Sequence, residues 1–179
     1  MLPIRIPDGE FFDEANSRVI RVKGREIQLE HSLVSISKWE SKWKKPFLGP
    51  EPKTRAETID YIRCMTITQN VDPNLYGCIS ADNIRAVNRY IDDPMTATTF
   101  RSKPKKSGNQ VITSEIIYYW MIELGIPESF QRWHLNRLLT LIRVCDEKSQ
   151  PGKKMSKRDV MSQYRSLNQA RRRKSGTRG

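Results

Sequence analysis

The apolar positions of this chain change period once, close to His31. Before it, Leu2, Ile4 and Ile6 alternate with Pro3 and Arg5, the run RVIRVK at 18–23 is short and β-branched, and Ile27 and Leu29 alternate with charged or polar residues. Period two in short β-branched runs predicts strands with one buried face. Lys23-Gly24-Arg25 reads as a tight turn, because glycine reaches φ > 0 without strain. The first thirty residues are therefore expected to form a two- or three-stranded antiparallel meander. So small a sheet is marginal alone and must pack on the helices.

After His31 the texture becomes helical. Ser37 with Glu40 and Thr54 with Glu57 match the capping box, in which hydroxyl and carboxylate satisfy the orphan N–H groups of a helix start. The first helix, starting at Ser37 or as early as Ser32 or Ser35, presents Ile36, Trp39 and Trp43 and stops at Pro46. The second runs from about Arg55 into Thr66 with Ile59, Ile62 and Cys64 or Met65 inward. A short helical segment follows Asp72-Pro73 around Leu75 and Tyr76, and Ser80 caps a helix with Ile84, Val87 and Ile91 on one face. Residues 93–110 are a long polar connection. Two apolar helices come next, from Thr113 to Leu124 and over 128–146, joined by Gly125 at C′ and Pro127 at N1. So short a joint predicts an antiparallel hairpin at the centre of the core, with Trp120, Trp133 and Leu138 buried. Ser156 with Asp159 caps one more amphipathic helix bearing Val160, Tyr164 and Leu167.

The expected fold is mainly α. It is a bundle of five to six helices, with the β-meander over 1–30, the helical body over 31–147, and a basic linker, amphipathic helix and disordered tail over 148–179. A chain of 179 residues suits one domain plus an arm. No run of eighteen apolar residues is present, so no membrane span is expected. The N-terminus also lacks the basic-then-apolar order of a secretory signal. Cys64, Cys78 and Cys145 are odd in number and lie among apolar neighbours, which suits buried thiols in a reducing cytoplasm. The net charge of +12 is unevenly spread. Residues 148–179 hold eleven Lys and Arg against Asp159 alone, which leaves 21 basic and 19 acidic groups in residues 1–147. The high isoelectric point belongs to the tail.

Catalytic chemistry is poorly supplied. His31 and His134 are the two histidines, and neither sits in a local nucleophile or general-base motif. The cysteines and His134 lack the paired spacing of a zinc site. No phosphate-cradling glycine loop is present, and Asp92-Asp93 and Asp146-Glu147 sit at helix ends, where solvation accounts for them. No catalytic, metal or cofactor-binding residue is assigned, and the chain is expected to work by binding. Two features are candidates for partner contact. Trp39 and Trp43, flanked by Lys38, Lys42, Lys44 and Lys45, are either a stacking platform for nucleic acid or one turn of an amphipathic helix with Trp inward and Lys outward. Arg171, Arg172, Arg173 and Lys174 lie in a stretch with no apolar content. They make a weak, salt-labile contact with nucleic acid, dock on an acidic protein, or keep the chain soluble.

Several stretches resemble the tail assembly chaperones of long-tailed bacteriophages. They are LEHSLVSISKWESKW at 29–43, DYIRCM at 60–65, PMTAT at 94–98, EIIYYWM at 115–121, QRWHLNRLLTLIRVC at 131–145 and LNQARR at 167–172. None is a catalytic signature. The resemblance implies a protein of the host cytoplasm that binds the tape measure protein, recruits tail tube subunits and is absent from the finished virion. It also implies that a longer, frameshifted product can share this region. Against it stand a permanent connector or tail-completion protein of the particle and a nucleic-acid-binding regulator.

Overall fold

The structure is a computed structural model that describes residues 1–13, 17–100, 111–149, 161, 162, 164–169 and 171. It is mainly helical with a small antiparallel β element at the N-terminus, as the change of period predicts. Strands β1 (Leu2–Ile6), β2 (Gly9–Asp13), β3 (Arg18–Val22) and β4 (Arg25–Leu29) pair β1 with β4 and β2 with β3. Leu2 lies opposite Leu29, Ile6 opposite Arg25, Gly9 opposite Val22 and Asp13 opposite Arg18, so the register never shifts between the ladders. They are one long hairpin rather than a meander, interrupted opposite Pro7-Asp8 and Lys23-Gly24.

The tight turn expected at Lys23-Gly24-Arg25 is therefore absent, and Gly24 sits midway along the ribbon. Pro7 has no N–H to give the ladder, and the Gly24 N–H donates instead to Asp8 Oδ1 at 2.5 Å. A Cβ at residue 24 would lie 2.5–2.6 Å from Asp8 N, Pro7 C and Ile6 O. Because those atoms are backbone, Gly24→Ala is expected to cost about 1–3 kcal/mol in urea unfolding. A loss under about 0.5 kcal/mol, the usual surface range, would contradict this close approach. The interruption also reverses which side is buried. Ile4, Ile6, Ile27 and Leu29 are inward before it, whereas Val22 is inward beyond it and Phe12 and Val19 are exposed.

Helix α1 (Leu33–Trp43) starts at Ser32, whose hydroxyl accepts the Ser35 N–H, so the Ser37–Glu40 box is not used. Helix α2 (Arg55–Met65) opens with the expected box: Thr54 Oγ1 accepts the Glu57 N–H, and Glu57 Oε2 accepts the Thr54 N–H. A 3-10 turn at Pro73–Cys78 and helix α3 (Ala81–Asp92), capped by Ser80, also fall where their start signals predict. Helix α4 (Ser114–Glu123) ends in a Schellman motif. Gly125 has φ +63°, the Ile126 N–H donates to the Met121 carbonyl, and the Gly125 N–H donates to that of Ile122.

The single helix expected over 128–146 is instead two pieces. Residues Glu128–Arg132 form a 3-10 turn, Trp133 is extended, and α5 runs Leu135–Ser149. Tertiary pairing overrides helical continuity here. Ser32 and His134 form an antiparallel bridge, and the Leu135 N–H donates to the His31 carbonyl at 2.7 Å. Just before that bridge, the end of β4 binds the end of α2, through Glu30 N–H to the Met65 carbonyl and Ile67 N–H to the Gln28 carbonyl.

The core gathers Ile6, Ile27 and Leu29 of the hairpin with Leu33, Ile36, Ile62, Ile117, Leu135 and Leu138. Leu138 is buried as expected. Trp120 and Trp133 are only half-buried, so the 113–146 segment contributes to the core without forming its centre. Trp133 stacks on Phe130 at 4.0 Å and carries the Arg137 guanidinium 4.1 Å over its ring. The hairpin, α1 to α4 and the first part of α5 belong to one compact unit, Met1–Arg143, and Val144–Gly179, which takes the end of α5, is a second. In the second unit the described residues are helical, with Met161, Tyr164 and Leu167 exposed. The expected cap at Ser156 and Asp159, the connection at 101–110, and Arg172, Arg173 and Lys174 lie outside the described residues. Among the described residues no helix is long and apolar enough to cross a membrane.

Candidate functional site

The aromatic and basic residues of α1 meet the acids of α2. Trp39 is fully buried, and its Nε1–H donates to the Glu57 carbonyl at 2.9 Å. Its ring stacks near Trp43 and meets Phe47 edge-on at 5.3 Å. Trp43 is half-buried with its Nε1–H on Asp60 Oδ2 at 2.9 Å, while Lys42 Nζ donates to Asp60 Oδ1 at 2.5 Å. Lys45 Nζ donates to Glu57 Oε1 at 2.8 Å, which raises the lysine pKa. That hydrogen bond and the Thr54 backbone N–H hold the Glu57 carboxyl down to about 2. Lys53 lies 4.2 Å over the Phe47 ring and donates to the Phe47 carbonyl, and burial lowers its pKa. This is a closed aromatic corner. Trp39 offers no surface to a partner, which corrects its candidacy, and Trp43 presents only part of its ring.

The two histidines are likewise inside. Their rings meet edge-on at 5.1 Å. His31 Nδ1 and the Tyr61 hydroxyl are hydrogen-bonded at 2.6 Å. His134 donates from Nε2 to the Tyr90 carbonyl at 2.9 Å and accepts the Asn136 N–H at Nδ1, which fixes its tautomer. Burial, and then the facing His134, lower the His31 pKa to about 3. Each ring is thereby fastened where strand β4 gives way to α1 and where α5 begins.

Glu40, which the sequence offers as the carboxylate of a capping box with Ser37, has a different role that patterning missed. It is buried, and its Oε1 accepts the Phe47 N–H at 2.7 Å while its Oε2 accepts the Ser114 N–H at 2.8 Å. The side chain of Thr113, the N-cap of α4, makes no capping bond. Glu40 therefore caps α4 from a different helix and closes the loop after α1. No local spacing could announce this, because the partner is 74 residues away.

Two open hollows mark the surface. One of about 690 Å³ lies at the hairpin interruption between Asp8, Glu10, Arg21 and Lys23, and one of about 240 Å³ lies between Arg63, Thr66, Thr68 and Tyr76. Neither is lined by a histidine or cysteine. Cys64, Cys78 and Cys145 carry free thiols and are half-buried rather than fully buried, and burial raises the Cys64 pKa. Among the described residues no three His, Cys, Asp or Glu are placed to hold a metal ion. Of the tail candidates, Arg171 is exposed on a helical residue of the second unit. No family model matches this chain, and no curated protein or solved structure matches it at a significant level.

Proposed function

We propose that this protein is a tail assembly chaperone of a long-tailed bacteriophage. In this reading it binds the tape measure protein in the host cytoplasm, recruits tail tube subunits, and leaves before the virion is complete. The observation that carries the reading is the resemblance itself, whose segments fall on the elements that build the body. The stretch at 29–43 spans the end of β4 and all of α1, 60–65 lies in α2, 115–121 in α4, and 131–145 includes most of α5. A role in binding rather than catalysis is supported by the two histidines, both buried and hydrogen-bonded within the fold. A helical body suits the recognition of an extended amphipathic segment, in which apolar stripes of the partner lie in grooves between helices.

Mass spectrometry of material co-purified with the tagged protein from infected cells, alongside purified particles, tests the proposal. Tape measure and tube proteins are expected among the partners, and this chain is expected to be missing from the particles. Its presence in particles at a fixed stoichiometry would instead make it a structural component.

A further inference from the structure

Residues 107–131 hold Glu115, Glu123 and Glu128 and no Lys or Arg, in a chain whose net charge is +12. Helix α4 occupies this stretch, and Glu115, Tyr119, Ile122 and Glu123 on it are all exposed. Ile122 is 80% exposed and Tyr119 59%, in a helix whose Ser114, Ile117 and Met121 are buried. The buried side anchors α4, so it cannot turn its apolar outer positions inward. An isoleucine that open to water gains nothing from folding. Positions 115, 119 and 122 are separated by four and then three residues, the spacing on which a second helix packs. Beyond the helix Glu128 adds a third negative charge, its Oε1 accepting Gln131 Nε2–H at 3.0 Å.

We propose that this face of α4 docks a basic amphipathic helix of a partner protein, with apolar side chains on Tyr119 and Ile122 and Lys or Arg against Glu115 and Glu123. The exposed charged residues that α4 itself carries beside that pair, Glu115 and Glu123, are both acidic, so they attract a basic helix and disfavour an acidic one. The proposal concerns the body alone and holds whether or not the protein serves tail assembly.

The test is a fluorescence anisotropy titration of the full chain with two synthetic helical peptides. Both carry Leu at i, i+3, i+4 and i+7, and the remaining positions are mainly Lys in one and Glu in the other. The Lys peptide is expected to bind at least about tenfold more tightly. Ile122→Ser should weaken it by about tenfold or more, with an unchanged melting temperature, since the side chain touches little. The double variant Glu115→Gln, Glu123→Gln should also weaken it and flatten its salt dependence. Equal binding of the two peptides, or binding indifferent to Ile122→Ser, would overturn the proposal. Dimerisation of the full chain in sedimentation, abolished by Ile122→Ser, would seat a second copy on this face and overturn its assignment to a foreign helix.

Discussion

Replacing Glu40 with alanine is expected to destabilise the protein by about 3–5 kcal/mol, through two lost hydrogen bonds to a buried carboxylate and the space it leaves. The side chain serves two backbone donors at once, the Phe47 N–H and the Ser114 N–H. Hydrogen bonds to a charged acceptor contribute about 1.5–3 kcal/mol each, and a buried N–H left without an acceptor costs about 1–3 kcal/mol. Alanine also leaves a void beneath the start of α4. Glu40→Gln should cost less, about 1–3 kcal/mol, because its single carbonyl oxygen satisfies one donor while its NH₂ confronts the other. Thermal unfolding of the two variants gives the comparison. At roughly 2–4 °C per kcal/mol for a chain of this size, Glu40→Ala should melt at least about 6 °C below the parent. A loss under about 1 kcal/mol would mean that water replaces both acceptors and that Glu40 does not hold α4.

Acid should weaken the fold from about pH 6.5 downward, well before the carboxylates titrate. The His31 pKa falls from 6.5 to about 3 on folding, through burial and the facing His134. Between those values the unfolded chain binds a proton that the folded chain refuses, so stability is full above 6.5 and declines as pH falls. The slope approaches 1.4 kcal/mol per pH unit, or about 3 kcal/mol lost between pH 6.5 and pH 4. Glu57 adds a second phase of the same sign. Its folded pKa of about 2 lies below the ordinary glutamate value of 4.5, so its stabilisation is present above 4.5 and is lost on further acidification. Urea midpoints from pH 7.5 to 4 measure the first phase, and His31→Gln should remove most of it. A flat profile for the parent over that range would show that His31 is solvated.

Periodicity and caps made much of this architecture legible in the sequence. The alternation of Ile4 with Ile6 and of Ile27 with Leu29 marks the buried side of the first ladder, and the Thr54, Ser80 and Gly125 signals mark helix ends where they occur. These are local effects, decided within a few residues. Long-range partners were illegible for the same reason. Gly24 resembles a turn residue until its close approach to the backbone of Ile6, Pro7 and Asp8 is known. Residues 128–134 read as helix until the bridge from Ser32 claims His134. At the candidate site, Trp39 and Trp43 looked equally suited to stacking and packing, and the acids Glu57 and Asp60 that decide for packing come from another helix. The exposed pair on α4 was hidden by its own composition. In a helix holding Ile116, Ile117, Tyr118, Tyr119, Trp120, Met121 and Ile122 every face is apolar, and only the structure shows which side is left uncovered.

Under the proposed function, the body recognises an apolar helical segment of the tape measure protein, while the basic tail contributes little specificity. Paired titrations of the intact protein against a tape measure fragment and against duplex DNA, each at about 50 and 200 mM salt, test it most directly. Apolar docking is screened little by salt, so fragment affinity should change by less than about threefold. DNA affinity resting on about five tail charges, Arg171, Arg172, Arg173, Lys174 and Arg178, should fall by about two to three decades. Tight DNA binding that survives removal of residues 170–179, together with no binding of the fragment at either salt, would rule out the chaperone function.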